Sequence, residues 1–283
     1  MTEAVHLETP SKLMNDFLEE YRSEDSIRKY SNETAGNGIS YLLNHEYAGI
    51  YLDVLKNCIP KSKQQKGIRL WEFGCGAGMN LLHLISLMEQ CGIAVECAYG
   101  TDFSETLMEA ARHDARQYLS PELSKKVRFC LAKNESLVED VARELGIPAE
   151  SLLGSFDLLL GVNTIRYSHR LSNHMDCAKG IYNLLAKGGV CINIDMNDKF
   201  PAFRSRIRDW KKGDALATYI PSLDEYAEPF KSVGFEILKK KNFCWIPHSA
   251  GRGLTAFMRT LTPVLNAVAR SRAMRSLVVA RKA

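Results

Sequence analysis

The chain has 283 residues, 46% hydrophobic and 25% charged, values that suit one large folded domain, or one with an added lid, and exclude general disorder, collagen and a disulfide scaffold. No apolar run approaches the roughly 20 residues a membrane span needs, and Met1–Ser11 carries no signal-peptide core, so a cytoplasmic location is expected. The net charge of +4 conceals an asymmetry: residues 237–283 hold ten Lys or Arg and no acid, a block that suits an anionic substrate, a membrane surface or a nucleic acid, or is a plain solvated face.

In chain order, Leu13, Phe17 and Leu18 mark a short helical face, which Ser31–Gly38 interrupts. Ile39, Leu42, Leu43, Tyr47, Ile50, Tyr51, Val54 and Leu55 then recur at helical spacing, and Pro60 with the run 61–67 ends the segment as a linker. From Ile68, short apolar runs alternate with amphipathic stretches. Strands are predicted at 68–73, 94–100, 127–132, 156–161 and 190–196, with helices between them at 80–91, 105–118, 137–145 and 174–185. This alternation implies βαβ units and a parallel, doubly wound sheet covered on both faces.

After Met196 the rhythm breaks. Residues 198–214 are basic and aromatic, with Phe200, Phe203 and Trp210, and read as an inserted lid. A helix at 223–233 and a long strand at 235–246 follow. The segment 251–270 is amphipathic, with Leu254, Phe257, Met258, Leu261, Leu265 and Val268 on one face, and Pro263 opens a second short helix capped by Thr262. A final strand is predicted at 276–280. The expected organisation is an N-terminal helical cap over 1–66 and an α/β domain over 67–283, with lid insertions at about 197–222 and 248–272. The eight cysteines form no CxxC pair, so they are expected as reduced thiols without a zinc site.

The stretch Leu70-Trp71-Glu72-Phe73-Gly74-Cys75-Gly76-Ala77-Gly78 leaves the first strand for a helix. Such a turn lets backbone approach a ligand closely and presents free N–H groups, the geometry of a nucleotide-type cofactor site. Glu72 precedes it at the strand end. Asp102 ends the next strand in Gly100-Thr101-Asp102-Phe103-Ser104, where an acid can accept from both ribose hydroxyls. Met79 stands where a dinucleotide fingerprint has its third glycine, which separates this turn from an oxidoreductase motif.

E-x-G-x-G-x-G, then G-x-D-x-S, then an amphipathic helix ending Glu109-Ala110-Ala111-Arg112 together resemble a class I S-adenosylmethionine-dependent methyltransferase of the small-molecule, natural-product type. The resemblance covers about residues 68–240 and continues in Phe156-Asp157-Leu158-Leu159-Leu160 and Leu185-Ala186-Lys187-Gly188-Gly189-Val190. It implies a Rossmann-like, seven-stranded, mostly parallel sheet and S-adenosyl-L-methionine as cofactor. By that resemblance Gly74, Gly76 and Gly78, with Cys75 between them, pack against the methionine part. Glu72 faces its amino group, Asp102 holds the ribose hydroxyls, Phe103 lies beside the adenine and Asn163 lines the sulfonium region. The family's third-strand acid has no match: Lys133 stands there, and neighbouring Asn134 is the candidate for the adenine contact through its amide oxygen. Tyr30, Ser31 and the Gly36–Gly38 loop are expected to cover the cofactor.

Methyl transfer is an in-line displacement that gains from positioning and from a water-poor site, and a weakly acidic acceptor also needs a base. Loops at the C-terminal ends of the strands supply such groups. The segment 163–170 is therefore the candidate acceptor side: His169 as base, Arg166 or Arg170 to hold an anionic group, and Tyr167 beside them. Asp195, Asn197 and Asp198 follow the fifth strand, where metal-dependent catechol-type relatives place ligands; Asn163 replaces their fourth-strand acid, and no metal is expected. Tyr21, Tyr30, Tyr41 and Tyr47 are candidates for an aromatic chamber, with core packing the alternative for Tyr47.

The expected activity is methylation of O, N or C of a small organic metabolite. The alternatives are isoprenoid or lipid methylation, with the basic lid on a phosphate and residues 251–270 on a membrane surface, and RNA cap-type guanine-N7 methylation, where Arg166 replaces that family's histidine. The N/D-P-P-Y motif of amino-group methyltransferases is absent. Nucleic acid is the less favoured partner, peripheral membrane contact stays open, and oligomeric state has no signal in the sequence.

Overall fold

The near-continuous apolar runs become buried parallel strands because helices cover both faces of the sheet they build. In the computed structural model, which describes residues 45–203, 220–246 and 252–283, the first elements are α1 (His45–Cys58), α2 (Lys61–Lys66), β1 (Ile68–Phe73), α3 (Met79–Gln90), β2 (Val95–Asp102), α4 (Glu105–Tyr118), α5 (Pro121–Ser124) and β3 (Val127–Leu131). Then come α6 (Leu137–Leu145), β4 (Phe156–Val162), α7 (Ile165–Arg170), α8 (His174–Leu184), β5 (Leu185–Met196), α9 (Leu223–Ser232), β6 (Phe235–Phe243), α10 (Arg252–Ala269) and β7 (Arg275–Lys282). The seven-stranded sheet has the order β3-β2-β1-β4-β5-β7-β6, and only β7 runs against the others.

Register fixes what meets at the C-terminal edge. Phe73 pairs with Thr101 of β2 and with Gly161 of β4, so β1, β2 and β4 end at one level. Val162 pairs with Ile194, and Met196 pairs with Arg275, so β7 starts where β5 stops. Two apolar layers hold the sheet. One joins Tyr47, Tyr51, Leu81, Leu82 and Met108 to Leu70, Leu158 and Ile192; the other joins Val141, Ile181, Tyr226 and Phe230 to Trp71, Phe73 and Leu159. Each such fully buried side chain contributes roughly 1.5–3 kcal/mol. The helix α1 belongs to the first layer, since Tyr47, Tyr51, Val54 and Leu55 are all fully buried.

Several local expectations change. The run 61–67 is not an open linker but the short helix α2, with no buried residue to reveal it in the sequence. Residues 165–170 form α7 rather than a loop. The sixth strand stops at Phe243, where Cys244 turns to a φ of 68°. Pro263 does not divide α10: it lies on the exposed side, where losing one N–H costs least because water is at hand. Thr262 donates its hydroxyl to the Met258 carbonyl (2.8 Å) instead of capping a new helix. The expected single apolar face of α10 is split, with Met258, Leu261 and Leu265 half-buried and Leu254, Phe257, Val264 and Val268 exposed. Residues 1–44, 204–219 and 247–251 lie outside the described residues, and with them most of the expected lid. Among the described residues no helix is long and apolar enough to cross a membrane.

Candidate active site

The turn after β1 is built by backbone. Gly74, Gly76 and Gly78 take φ of 59°, 54° and 76°, and Gly78 starts α3. The Cys75 N–H donates to the Thr101 carbonyl (2.8 Å), which ties the turn to β2. At Gly74 a Cβ would lie 2.0 Å from the Thr164 hydroxyl, so the second residue after β4 is packed against the turn. Asn134 reaches the same hydroxyl, donating its amide N–H to Thr164 Oγ1 (2.8 Å).

Two buried acids flank this turn. Asp102 accepts from the N–H of Gly76 (3.0 Å) and of Ser104 (3.1 Å), with the half-buried Phe103 contributing its own N–H. Burial nevertheless raises its carboxyl to about 6, against the pull of those donors. Glu72, fully buried, accepts from the Leu81 N–H (2.8 Å) at the start of α3, where the helix dipole favours a negative group. Its other oxygen, Oε1, is buried without a hydrogen-bond partner among the described residues. Burial holds the Glu72 carboxyl well above the usual carboxylate range. A turn with glycine at every second position, one unpartnered buried carboxylate oxygen and a second carboxylate at the next strand end fit a ligand that carries an ammonium and a ribose diol.

One strand further along, the ends of β4, β5 and β7 bring a second polar set together. Asn163, at a φ of 57°, accepts from Arg275 Nη1 (2.6 Å). Asp195, fully buried, accepts from the Arg166 N–H (3.2 Å) and the Met196 N–H (2.8 Å). The Arg166 Nε lies 3.9 Å from Asp195 Oδ1, its Nη1 meets the Met196 sulfur, and its Nη2 donates to the Tyr167 hydroxyl (2.5 Å). Burial raises the Asp195 carboxyl, and the Arg166 guanidinium is the strongest opposing influence.

The structure does not bring His169 into this set. Its ring stacks on His174 (4.4 Å between centroids) and meets Tyr226 of α9 edge-on (5.8 Å). Burial, then the His174 charge, lowers its pKa to about 4, so the imidazole is neutral at pH 7 and a poor proton acceptor. His174 is accordingly half-buried against His169 rather than turned outward. Asn197 braces the backbone, donating to the carbonyls of Ser271 (2.9 Å) and Ala273 (2.6 Å). Among the described residues no three His, Cys, Asp or Glu side chains converge as metal ligands. Tyr30, Tyr21, Tyr41, Ser31, the Gly36–Gly38 loop and Trp210 lie outside the described residues; Tyr47 is a core ring packed on Phe243 (5.6 Å) and Tyr51 (6.4 Å). Sequence reasoning placed Thr164 in the segment 163–170 without giving it a role, and missed Arg275. The only signal for Arg275 was its place at the start of the last strand, beside the end of β5 once that strand runs antiparallel.

A family model described as a methyltransferase domain matches residues 64–246. No curated protein matches the chain. Among solved structures, the citrinin polyketide synthase CMeT domain is similar at 16% identity and a TM-score of 0.57, covering 94% of this chain. This chain spans 59% of the length of that one. A putative sarcosine dimethylglycine methyltransferase from Galdieria sulphuraria (12% identity, TM-score 0.53) covers 83% of this chain and 85% of its own. An S-adenosylmethionine-dependent methyltransferase from Mesorhizobium loti (19% identity, TM-score 0.51) covers 81% and 95%. At these identities the likeness is one of fold.

Proposed function

The chain belongs to the methyltransferase-domain family, with S-adenosylmethionine as its cofactor, and from that premise we propose that it methylates O, N or C of a small organic acceptor. The observation that carries this reading is the burial of the groups beside the glycine turn. Arg166, Tyr167 and Asp195 are each 7% exposed or less, a setting for a small enclosed acceptor rather than a polymer. The basic block also spends much of its charge internally. Lys239 pairs with Asp53, Lys240 with Asp224 and Arg281 with Glu236, while Lys282 donates to the carbonyls of Tyr182 and Leu185. That weighs against a nucleic-acid track.

In this reading the cofactor, when bound, supplies an electrophilic methyl group on a sulfonium. Glu72 Oε1 receives its ammonium, Asp102 its ribose hydroxyls, and Gly74, Cys75, Gly76 and Gly78 let the backbone lie against it. Phe103 lies beside the adenine. Asn163 and Thr164 border the reacting end, and Asn134 supports Thr164. Tyr167, its hydroxyl held by Arg166, is the group best placed to orient an acceptor. His169 serves packing.

The raised Asp102 carboxyl gives a pH prediction. Between the ordinary carboxylate range and pH 6 the folded chain holds a proton that the unfolded chain has lost, so ionising Asp102 costs stability as pH rises through about 6. Binding that needs the carboxylate changes the opposite way. S-adenosylhomocysteine affinity is expected to fall roughly tenfold from pH 7 to pH 5, because about one carboxylate in ten is ionised one unit below its pKa. In Asp102→Asn the step near pH 6 should be missing; a calorimetric series with an unchanged step would remove Asp102 from the ribose site.

A second reading has its own observation. The outer side of α10 exposes Leu254, Phe257, Val264 and Val268, at 48%, 59%, 59% and 77%, in a segment without acids, which favours an acceptor delivered from a lipid surface. Incubation with methyl-labelled S-adenosylmethionine and parallel panels of phenols and amines, prenyl lipids in anionic vesicles, and capped RNA separates the readings. Label on small molecules supports the first, label confined to vesicles the second, and label confined to RNA contradicts both.

A further inference from the structure

Two guanidiniums and one carboxylate are buried together where β4, β5 and β7 meet. Arg166 and Arg275 are each 6% exposed and Asp195 is fully buried. Asp195 meets Arg166 through the Arg166 backbone N–H and, at 3.9 Å, its Nε, and the Arg275 charge adds a weaker pull on the same carboxyl. Arg275 has no ion pair among the described residues. Its Nη1 donates to a neutral group, the Asn163 amide oxygen, and its Nε is buried without a hydrogen-bond partner among the described residues. Among the described residues a further carboxylate near Tyr47, Glu46 of α1, accepts from the Trp245 N–H (3.2 Å). Among the described residues the set therefore carries one positive charge more than its single fully buried acid balances. A lysine could release a proton in such a place, but a guanidinium cannot. A buried charge left in this way is costly until an anion meets it, and the guanidinium fork matches a carboxylate.

Position says which anion. Arg275 opens β7, three strands from β1 in the sheet order, and its fork lies over the end of β4, the strand next to the glycine turn on the side away from Asp102. The Arg275 charge also acts on the hydroxyl of the fully buried Tyr47, whose ring packs on Phe243. We propose that Arg275 docks a carboxylate of the methyl acceptor, with Asn163 holding its fork in place, so that the acceptor is a small organic acid. This rests on the methyltransferase reading and narrows it. The left-handed backbone at Asn163 serves the same end, because asparagine tolerates that conformation better than most residues and turns its amide oxygen onto Nη1.

The cofactor's own carboxylate is the other possible source of the charge, and the test separates the two. The full chain, saturated with S-adenosylhomocysteine, is titrated with acetate, benzoate and 3-phenylpropionate and with the matching neutral amides. At least one acid is expected to bind roughly tenfold or more tightly than its amide, the range of a charge-assisted hydrogen bond. Arg275→Met should abolish that preference and Arg275→Lys keep part of it, both with S-adenosylhomocysteine affinity unchanged within about twofold. Asn163→Asp supplies a carboxylate from within the fold, so it should raise the thermal midpoint while abolishing the preference, which guards against a variant that simply fails to fold. No preference for any acid, or a preference that survives Arg275→Met, overturns the proposal. So does a loss of S-adenosylhomocysteine affinity in Arg275→Met with 5′-methylthioadenosine binding intact, which would give the arginine to the cofactor. Failure of the wild type to bind S-adenosylhomocysteine would instead overturn the methyltransferase reading beneath it.

Discussion

Gly74→Ala is expected to destabilise the chain by about 2–5 kcal/mol and to eliminate measurable S-adenosylhomocysteine binding. Two costs combine. The backbone at Gly74 has a φ of 59°, where an L side chain is strained by about 1–2 kcal/mol. The new Cβ would also sit 2.0 Å from Thr164 Oγ1, and the hydroxyl cannot yield without breaking the bond it accepts from Asn134. Repacking a filled site of this kind costs roughly 1–3 kcal/mol. Binding suffers more than stability, because relief of the clash moves the turn away from β4 and so separates Glu72 and Gly76 from Asn163. Thermal unfolding and calorimetry on one preparation check both effects; wild-type affinity in Gly74→Ala would mean that the turn does not face the cofactor.

Arg166→Met is the second large effect. It removes the strongest opposing charge from the buried Asp195 carboxylate and leaves it only the weaker pull of Arg275, a loss of up to about 3–5 kcal/mol. For a chain of this length that lowers the thermal midpoint by roughly 5–10 °C. Asp195→Asn in the same background should recover part of the loss, since it removes the buried carboxylate, although its single amide oxygen can accept from only one of the two backbone N–H groups that the two Asp195 oxygens serve. A double variant no more stable than Arg166→Met would show that the guanidinium acts through packing on Met196 and Tyr167 rather than through the ion pair.

What could be read in the sequence was what depends on near neighbours. Helices 105–118 and 137–145 have their expected ends because an apolar period lies next to a terminus signal, the Ser104 cap at the start of the first and the left-handed Gly146 at the end of the second. The strand β1 and its glycine turn were legible for the same reason: an apolar run ending in three closely spaced glycines has few other uses. The short helices α2 and α7 were not, since one buries nothing and the other is almost wholly buried and so has no polar side to give it a period.

The acceptor side was only half legible, because its partners are far apart in the chain. Arg166 and Asp195 are both visible after strand ends, yet nothing local says that they meet and neutralise each other. Arg275 and Asn163 are 112 residues apart, and only the reversal of β7 brings them together. His169 shows the converse. Its imidazole, placed directly after a strand, suggested a base, but the packing of α8 and α9 against α7 decides its environment, and that packing is a property of the whole face of the sheet.

The central claim is that the turn 74–78 with Glu72 and Asp102 holds S-adenosylmethionine. Calorimetric titration of the full chain with S-adenosylhomocysteine, beside NADH under the same conditions, tests it most directly. Saturable binding of S-adenosylhomocysteine near one per chain, with no heat from NADH, is the predicted result. Saturable binding of NADH with none of S-adenosylhomocysteine would contradict it.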